Sequence, residues 1–455
     1  MQTSFDAILR FKKTYEVLKQ DQRLIGTSDL SGLRESAMTR LEGRGFPGRK
    51  TEEWRYTNTA PLLQEHYVTP KKERSFDLSD SALAEMTATF DSSSYRVVLV
   101  NGHFVGGLSR LPEQSGVSCF SLAALVSGQG PMEIKSRLEM IWEAEEGTGG
   151  QAFTWLNSAL CLDGCVLVVD PQTSVDKPIE VIHVQSGEGD HWQSSMCRNF
   201  FFIGAGSKAT ITEGFIGSPE TRSLTNTVTS LRVGEGAKVY HFKVQLENPK
   251  SYHLSFVRAS LAESADVRFL QVASGARISR QELCCDIVGP QAFVRADAIY
   301  LVEGQEHVDL RTEINHRFEG GSSHQLFKGI ASDKARAVFN GKILISEGAQ
   351  KVDSSQLNKT LLLSNTAEVD AKPELEIYAD DVKATHGATV GQLDEEQVFY
   401  FVSRGIPPSQ AETLLAQGFT GEVLDHYRDC GAIVSKLDLH ISSWVDRNRT
   451  SGARG

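Results

Sequence analysis

Short segments rich in Val, Ile, Phe and Thr alternate with turns of Gly, Ser, Asn and Asp between about residues 95 and 391. A degenerate pattern recurs there: a turn of small residues, an alanine, a polar residue, and then alternating apolar residues. Short strands joined by tight turns favour the stacked coils of a β-solenoid, although a β-sandwich has a similar local texture. The recurring alanines, several of them separated by about 14 or 28 residues, are Ala209, Ala237, Ala265, Ala335, Ala349 and Ala367.

Helical patterns flank this β-rich region. Apolar residues before residue 95 recur at helical spacing, as Phe5, Ile8 and Leu9 do. The sequence therefore divides into a helix-rich region (1–95), a solenoid core (96–391) and a C-terminal helical region (392–455).

The C-terminal region shows clear signals for helix starts and stops. Asp394 is placed to cap a helix that ends at Gly405, before two prolines. A second helix is predicted to begin at Ser409 and end near Gly418, and Thr420 is predicted to cap a third.

Composition narrows the function classes. Lys and Arg total 47 against 58 acidic residues in a chain of 455, so the net charge of −11 argues against a nucleic-acid-binding protein. The sequence contains no apolar run of about 18 residues, so no membrane span is predicted. The N-terminus lacks the apolar core of a secretory signal, and the seven cysteines are scattered and odd in number. These features predict reduced thiols and a cytoplasmic location.

The segment Glu374–Gly391, ELEIYADDVKATHGATVG, contains the leading candidate for chemistry. Alternating polar and apolar residues predict a half-buried strand that runs on to a lone histidine, His386, set among small residues. A neutral imidazole is a good iron ligand, and a nearby carboxylate such as Asp380 or Asp381 could orient it. From residue type alone, a hydrogen-bonded structural histidine is the more frequent outcome.

Two motifs give the chain a family resemblance. The segment Gly48–Leu62 reads GRKTEEWRYTNTAPL, and DEEQVFYFVSRGIP follows the histidine segment. Both are similar to motifs of the SufB/SufD family of iron–sulfur cluster assembly proteins, and together they bracket most of the chain. The resemblance implies a mainly β protein with a right-handed parallel β-helix core and helical regions at both ends.

The resemblance also implies a role for His386. In SufD-like members the corresponding histidine takes part in building a nascent iron–sulfur cluster at the interface with a homologous SufB-like subunit. Ala384 and Thr385 stand here where a cysteine is often found, which fits a SufD-like rather than a sulfur-accepting SufB-like chain. The expected site is therefore shared, with a transient cluster and no cofactor held stably by this chain alone.

The helix after the solenoid is a candidate partner surface. Phe399 and Phe401 lie on a short helix that is too small to bury them alone, and Arg404 follows, with Gly405 and Ile406 at the stop. Packing against the solenoid accounts for these residues equally well. The resemblance favours docking of a SufC-like ABC ATPase, since this chain has no GxxxxGK[ST] phosphate loop of its own. It implies an assembly subunit without catalytic activity, able to form a homodimer in isolation.

Alternatives to this interpretation remain open. His307, His316 and His324 form a competing metal constellation, because residues this far apart can stack on neighbouring solenoid turns; a role in the core or an interface is the other interpretation. A secreted-type β-helix enzyme acting on carbohydrate would need paired carboxylates in one groove, and Asp380–Asp381 is the pair that invites this hypothesis. A purely structural β-helical scaffold is the third.

Overall fold

The computed structural model describes residues 2–21, 23–24, 30–72, 78–149, 151–187 and 191–452. Two ten-stranded sheets form its centre, one built mainly from odd-numbered strands and the other from even-numbered strands. The strands are β1 (Tyr67–Val68), β2 (Tyr95–Val100), β3 (His103–Phe104), β4 (Val117–Ser121), β5 (Cys165–Val169), β6 (Ile179–Gln185), β7 (Trp192–Ile203), β8 (Lys208–Gly217), β9 (Ser223–Val233), β10 (Lys238–Leu246), β11 (Tyr252–Leu261), β12 (Asp266–Ser274), β13 (Ile278–Ile287), β14 (Phe293–Val302), β15 (His307–His316), β16 (Ser322–Ala331), β17 (Arg336–Ile345), β18 (Asp353–Leu362), β19 (Glu368–Ile377) and β20 (Lys383–Gly391).

From β5 onward the chain alternates between the two sheets, and each strand pairs in parallel with the strand two positions on in sequence. Lys238 in β10 pairs with Asp266 in β12, which pairs in turn with Phe293 in β14. Each coil is therefore close to 28 residues long here, the spacing seen in the sequence. The prediction of a mainly β protein with a parallel β-solenoid core is confirmed.

The recurring alanines of the sequence pattern are buried at the turns, except that Ala209 lies two residues away from the equivalent position. Ala237 and Ala265 precede the paired residues Lys238 and Asp266, and both are fully buried at the turn. Lys208 pairs with Lys238, so Ser207 and not Ala209 holds the equivalent position in the coil before. A small residue is needed there because the turns of successive coils stack closely.

Side chains on the inner faces of the two sheets fill the lumen between them. In β10, Val239, His241 and Lys243 point inward, while Tyr240 and Phe242 belong to the outer face. The inner apolar residues form one continuous cluster along the first turns, including Val181, Val267 and Val294. Because strand residues alternate between faces, in-register pairing places equivalent residues in columns along the lumen.

N-terminal helices cover the outer face of the odd-numbered sheet. Residues of the first helices pack with Phe153 and Leu156 against Leu224 and Tyr252 of the sheet. Three helices, α5 to α7, lie within the region predicted as solenoid, and the sequence pattern did not indicate them. The helices are α1 (Gln2–Gln20), α2 (Ser31–Arg44), α3 (Ala60–Gln64), α4 (Asp80–Met86), α5 (Leu122–Val126), α6 (Met132–Gly149) and α7 (Ala152–Leu160), with 3₁₀ turns at Glu52–Trp54 and Gly106–Leu108.

C-terminal helices cover the outer face of the even-numbered sheet. They are α8 (Glu395–Val402), α9 (Pro408–Leu424) and α10 (Ala432–Gly452), with a 3₁₀ segment at Asp425–Cys430. Tyr427 is buried and donates a 2.5 Å hydrogen bond to the Phe269 carbonyl. Leu437, Trp444 and other apolar residues of α10 complete this contact. Helical regions at both ends of the chain are thus confirmed.

The predicted break between two helices near residue 418 is wrong. Helix α9 runs without interruption through Gly418 and Thr420, and the Thr420 hydroxyl donates to the Ala416 carbonyl instead of capping a new helix. Ala416 and Val423 are buried against the solenoid side of the helix. This packing stabilises a helix that the sequence signals would have ended.

The two ends of the solenoid differ. Antiparallel strands β3 and β4 terminate the sheets at one end. At the other end, β19 and β20 are the last strands of their sheets, and we call this pair of strands the open end. No helix among the described residues is both long and apolar enough to cross a bilayer.

Candidate functional site

His386 lies in the middle of β20, on the open end, and is exposed. The sequence pattern treated it as the end of one strand running from Glu374. That prediction is wrong: β19 stops at Ile377, and a turn carries the chain across to the other sheet before Lys383. His386 therefore occupies the last edge of the even-numbered sheet, where the outward backbone N–H and C=O groups of β20 have no neighbouring strand within the described chain.

The pairing of β20 with β18 fixes which way His386 faces. His386 pairs with Gln356, and the flanking Gly387 pairs with Leu357. Leu357 packs on the outer face with the C-terminal helices, whereas Gln356 is buried in the lumen. Since in-register residues of parallel strands share a face, His386 stands above Gln356 at the mouth of the lumen.

The two acidic residues before the histidine do not form the contact with it that was predicted. Asp380 and Asp381 lie in the exposed turn between β19 and β20. The Asp381 backbone N–H donates to Gln350 Oε1 at 2.9 Å, and its carbonyl accepts from the Lys351 N–H at 2.6 Å. Among the described residues, no hydrogen bond joins either carboxylate to His386. The Asp381 backbone therefore links this turn to the turn at Gln350 and Lys351 in the preceding coil.

Small residues surround His386 on its strand. Ala384 and Gly387 are half-buried, and Thr385 and Ala388 are exposed. Apolar side chains at the same end of the solenoid are also exposed, among them Ile377, Tyr378 and Val390. A strand with unpaired backbone groups, small side chains and exposed apolar residues can accept another strand or surface at close range.

Helix α8 presents a second exposed surface, separate from the open end. The Asp394 side chain accepts the Glu396 N–H at 2.9 Å, and the helix ends before Gly405, whose φ is +86°. Phe399 is 71% exposed and Tyr400 is 56% exposed. Phe401 and Ile406 are half-buried. The predicted start and stop of this helix are confirmed.

Aromatic and charged groups of α8 form a shallow, defined surface. The Arg404 guanidinium lies 4.9 Å from the centre of the Tyr400 ring, and Tyr400 packs edge-on to Phe401 at 6.0 Å. A cavity of about 260 Å³ opens between α8 and α9, lined by Asp394, Glu396, Gln397, Tyr400, Phe401 and Leu415. Because Phe399 is mostly exposed, packing against the solenoid does not account for this residue.

The N-terminal motif is a structural clamp on the odd-numbered sheet. Trp54 is 2% exposed, and the Arg280 guanidinium of β13 lies 3.7 Å from the centre of its ring. Arg280 also donates to the Glu53 carbonyl at 2.8 Å and forms a 2.6 Å ion pair with Asp309. Thr57 donates to the same carboxylate at 2.6 Å. The motif thus fixes the N-terminal helices to two coils at once.

The three histidines of the competing constellation each have a separate environment. His307 Nε2 contacts Thr57 Oγ1 at 2.9 Å, His316 Nε2 contacts Ser323 Oγ at 2.8 Å, and His324 Nδ1 contacts Ser355 Oγ at 2.8 Å. Burial lowers the pKa of His307 and of His316 to about 4. Across the described residues, no group of three metal-ligating side chains converges. This geometry supports the structural interpretation of these histidines.

A buried ionic network lies deeper in the lumen and was not anticipated from the sequence. Glu213 Oε2 contacts His241 Nε2 at 2.9 Å. Burial alone would raise the pKa of Glu213, but the hydrogen bond from His241 and the nearby Lys243 charge lower it to about 2. Burial lowers the pKa of Lys243 to about 8. Because these residues are 28 and 30 positions apart, only the coil length could have revealed that they meet.

The cysteines are free thiols, and four of them are buried. Burial raises the pKa of Cys161 to about 11, and burial with the nearby acids Glu313 and Asp286 raises that of Cys284 to about 12. A thiol is nucleophilic and binds metal as the thiolate. The four buried cysteines are therefore packed as small apolar residues.

Two family models match the chain. The model described as "SufBD protein N-terminal region" matches residues 8–181, and "SUF system FeS cluster assembly, SufBD core domain" matches residues 183–419. The second match contains the solenoid turns, the open end and α8.

Curated relatives agree over nearly the whole chain. The chain is 32% identical to "Iron-sulfur cluster assembly protein SufD" of Escherichia coli over 411 residues, which is 90% of this chain and 91% of the relative. It is 29% identical to a SufBD family protein of Synechocystis, over 91% of each chain. It is also 29% identical to "Protein ABCI7, chloroplastic" of Arabidopsis thaliana, over 88% of this chain and 82% of the relative. With both family models and a SufD relative matched along its length, this chain belongs to the SufB/SufD family of iron–sulfur cluster assembly proteins and is SufD-like within it.

Proposed function

We propose that this SufD-like protein is one half of a paired scaffold on which the SUF system builds nascent iron–sulfur clusters. The observation that carries the proposal is the position of His386 on an exposed terminal strand, with its ring at the mouth of the lumen. A single imidazole supplies one ligand, and a cluster needs several. The remaining ligands would come from a SufB-like subunit seated against the open end.

The open end suits such a partner. Strands β19 and β20 offer two rows of backbone groups, and a homologous solenoid end would pair with both. Pairing of this kind extends each sheet across the interface and buries Ile377, Tyr378 and Val390. In the absence of that partner, the same edges are self-complementary about a two-fold axis, which would give a homodimer.

The surface of α8 is the proposed docking site for a SufC-like ABC ATPase. It combines exposed aromatic rings with a guanidinium, the residue types that dominate binding energy at protein interfaces. The residues proposed to contact the ATPase are Phe399, Phe401, Arg404, Gly405 and Ile406. Because α8 follows β20 directly, a force on this helix is transmitted to the strand that carries His386.

In this arrangement the chain has no catalytic activity of its own. ATP-driven movement of the docked ATPases would pull on α8 and open the interface at His386 to iron and sulfide. The cluster is cargo, held transiently between two subunits, and no cofactor resides in this chain alone. The complex is proposed to work in the cytoplasm, without contact to nucleic acid or membrane.

The deciding experiment compares wild type with His386→Ala in the complex co-purified anaerobically with SufB-like and SufC-like partners. Iron and acid-labile sulfide are measured per complex. Thr385→Ala is the matched control, since Thr385 is an exposed neighbour on the same strand that faces the other side. A selective loss in His386→Ala within an intact complex is expected. Equal iron and sulfide in all three proteins would reduce this subunit to a structural partner.

A further inference from the structure

Gln356, the residue paired with His386, has a buried side-chain amide that forms no hydrogen bond with the described residues. It is 2% exposed, and within the described part of the chain neither its Nε2 nor its Oε1 has a hydrogen-bond partner. Buried side-chain polar atoms in folded proteins are nearly always paired. An amide that stays unpaired on both atoms in a well-packed lumen therefore needs an explanation.

The lumen around Gln356 is shaped to hold this side chain. A Cβ atom at Gly341 on the opposite sheet would lie 1.7 Å from Gln356 Nε2 and 2.7 Å from the Phe339 ring. Glycine at this position leaves the space in which the amide sits. The apolar Phe339 ring beside it offers no hydrogen bond.

The coil below Gln356 does not satisfy the amide either. Gln325 pairs with Gln356, and Gln356 pairs with His386, so the three residues lie in one column along the lumen. Gln325 Oε1 accepts a 2.6 Å hydrogen bond from Thr312, and within the described chain Gln325 makes no hydrogen bond with Gln356. The neighbour of Gln356 on the other side is His386.

We infer that Gln356 is the positioning residue for His386. The two residues are in register on adjacent parallel strands, so their Cα atoms lie about 4.8 Å apart and their side chains extend to the same face. In the assembled site, the Gln356 carbonyl oxygen accepts a hydrogen bond from the nearer N–H of the imidazole. The other ring nitrogen then keeps its lone pair free and is aimed outward, toward the partner subunit.

This assignment gives the imidazole the support that the carboxylates Asp380 and Asp381 do not supply. A ligating histidine usually donates its second N–H to a carboxylate, a carbonyl or a water, which fixes the tautomer and the ring orientation. A neutral amide fixes the tautomer without adding a negative charge. The inference rests on the proposed function of His386 and extends it by one residue.

The test uses Gln356→Leu, which keeps the size of the side chain and removes the acceptor, and Gln356→Glu, which restores an acceptor of the same shape. Gln325→Leu is the matched control, one coil further from His386 in the same column. The ring-nitrogen NMR signals of His386, recorded in the iron-free complex with SufB-like and SufC-like partners, report its tautomer. Iron and acid-labile sulfide are measured in the complex with SufB-like and SufC-like partners.

The inference predicts that Gln356→Leu changes the His386 tautomer and lowers iron and sulfide by about 10-fold or more, the usual effect of losing such a support. Gln356→Glu should restore both, and Gln325→Leu should match wild type. Unchanged His386 signals and unchanged iron in a folded Gln356→Leu protein would overturn it. If His386→Ala loses iron while Gln356→Leu does not, only this inference fails; if His386→Ala keeps its iron, the proposed function fails first.

Discussion

Replacing Phe399 by alanine should weaken binding of the SufC-like ATPase without disturbing the fold. The ring is 71% exposed and belongs to none of the buried clusters that the described residues form, so its removal costs the free chain little. An aromatic side chain has about 200 Å² of surface, and the exposed share is therefore roughly 140 Å². At about 25 cal/mol per Å², complete burial at an interface contributes up to about 3.5 kcal/mol.

Only part of that value is expected in a measurement, because binding also orders side chains on both partners. An anchor residue at an interface typically costs about 2 kcal/mol or more when truncated to alanine. We expect a loss of about 2–3 kcal/mol, which corresponds to a roughly 30- to 150-fold higher Kd. The loss should be nearly independent of salt, since the contact is apolar.

Titration calorimetry with the purified ATPase provides the measurement, and Leu439→Ala provides the control. Leu439 is 67% exposed on α10, so it offers a comparable apolar side chain at a different place on the surface. Thermal unfolding of both variants should match wild type. If Phe399→Ala binds as tightly as wild type, or if Leu439→Ala loses as much affinity, α8 is not the docking surface.

Two further predictions concern stability. Asp309→Ala should lower the free energy of unfolding, measured in urea, by about 3 kcal/mol, because it leaves the Arg280 charge buried with a weaker set of partners. The control, Asp425→Ala, breaks an exposed pair with Arg428 and should cost under about 1 kcal/mol. Equal losses would contradict the role of Asp309 in holding the N-terminal motif to the sheet. Burial raises the pKa of Glu306 to about 8, so the folded state holds this proton more tightly than the unfolded chain, and stability should fall between pH 5 and 8. Glu306→Gln should remove that part of the pH dependence in thermal unfolding, and a slope identical to wild type would refute the assignment.

Local sequence signals predicted those elements whose boundaries depend on local chemistry. Helix α8 begins at Asp394 because its carboxylate accepts an N–H of the first turn, and it ends before Gly405, which adopts a positive φ. Both features depend only on residues next to the helix ends, so they can be recognised in the sequence. The same kind of signal failed at Gly418, because the buried contacts of α9 come from a sheet far away in sequence. Helices α5 to α7 were missed for a related reason. Helix α7, for example, is buried on nearly every side and is stabilised by packing on β7 and β9.

The candidate site shows the same division between local and distant information. The sequence drew attention to His386 and to its small neighbours, which are contiguous. It could not show that Gln356 lies beside it, since that contact depends on a coil of 30 residues and on a turn that moves the chain to the other sheet. Applying the coil length to His386 would have found Gln356, whereas the clamp between Trp54 and Arg280 spans too much sequence for any such rule.

The contrast between the two ends of the solenoid explains why function is expected at one of them. An unpaired strand edge is a hazard, because it can pair with any other chain, and folded proteins normally cover or blunt it. This protein does so at one end with antiparallel strands. At the open end, Pro373 weakens pairing along β19 by removing a donor, but β20 contains no proline and has small, uncharged residues from Ala384 to Gly391 apart from His386. In the proposed function, the partner seated on this open strand completes both the sheet and the site, since the strand places a histidine above an unsatisfied amide.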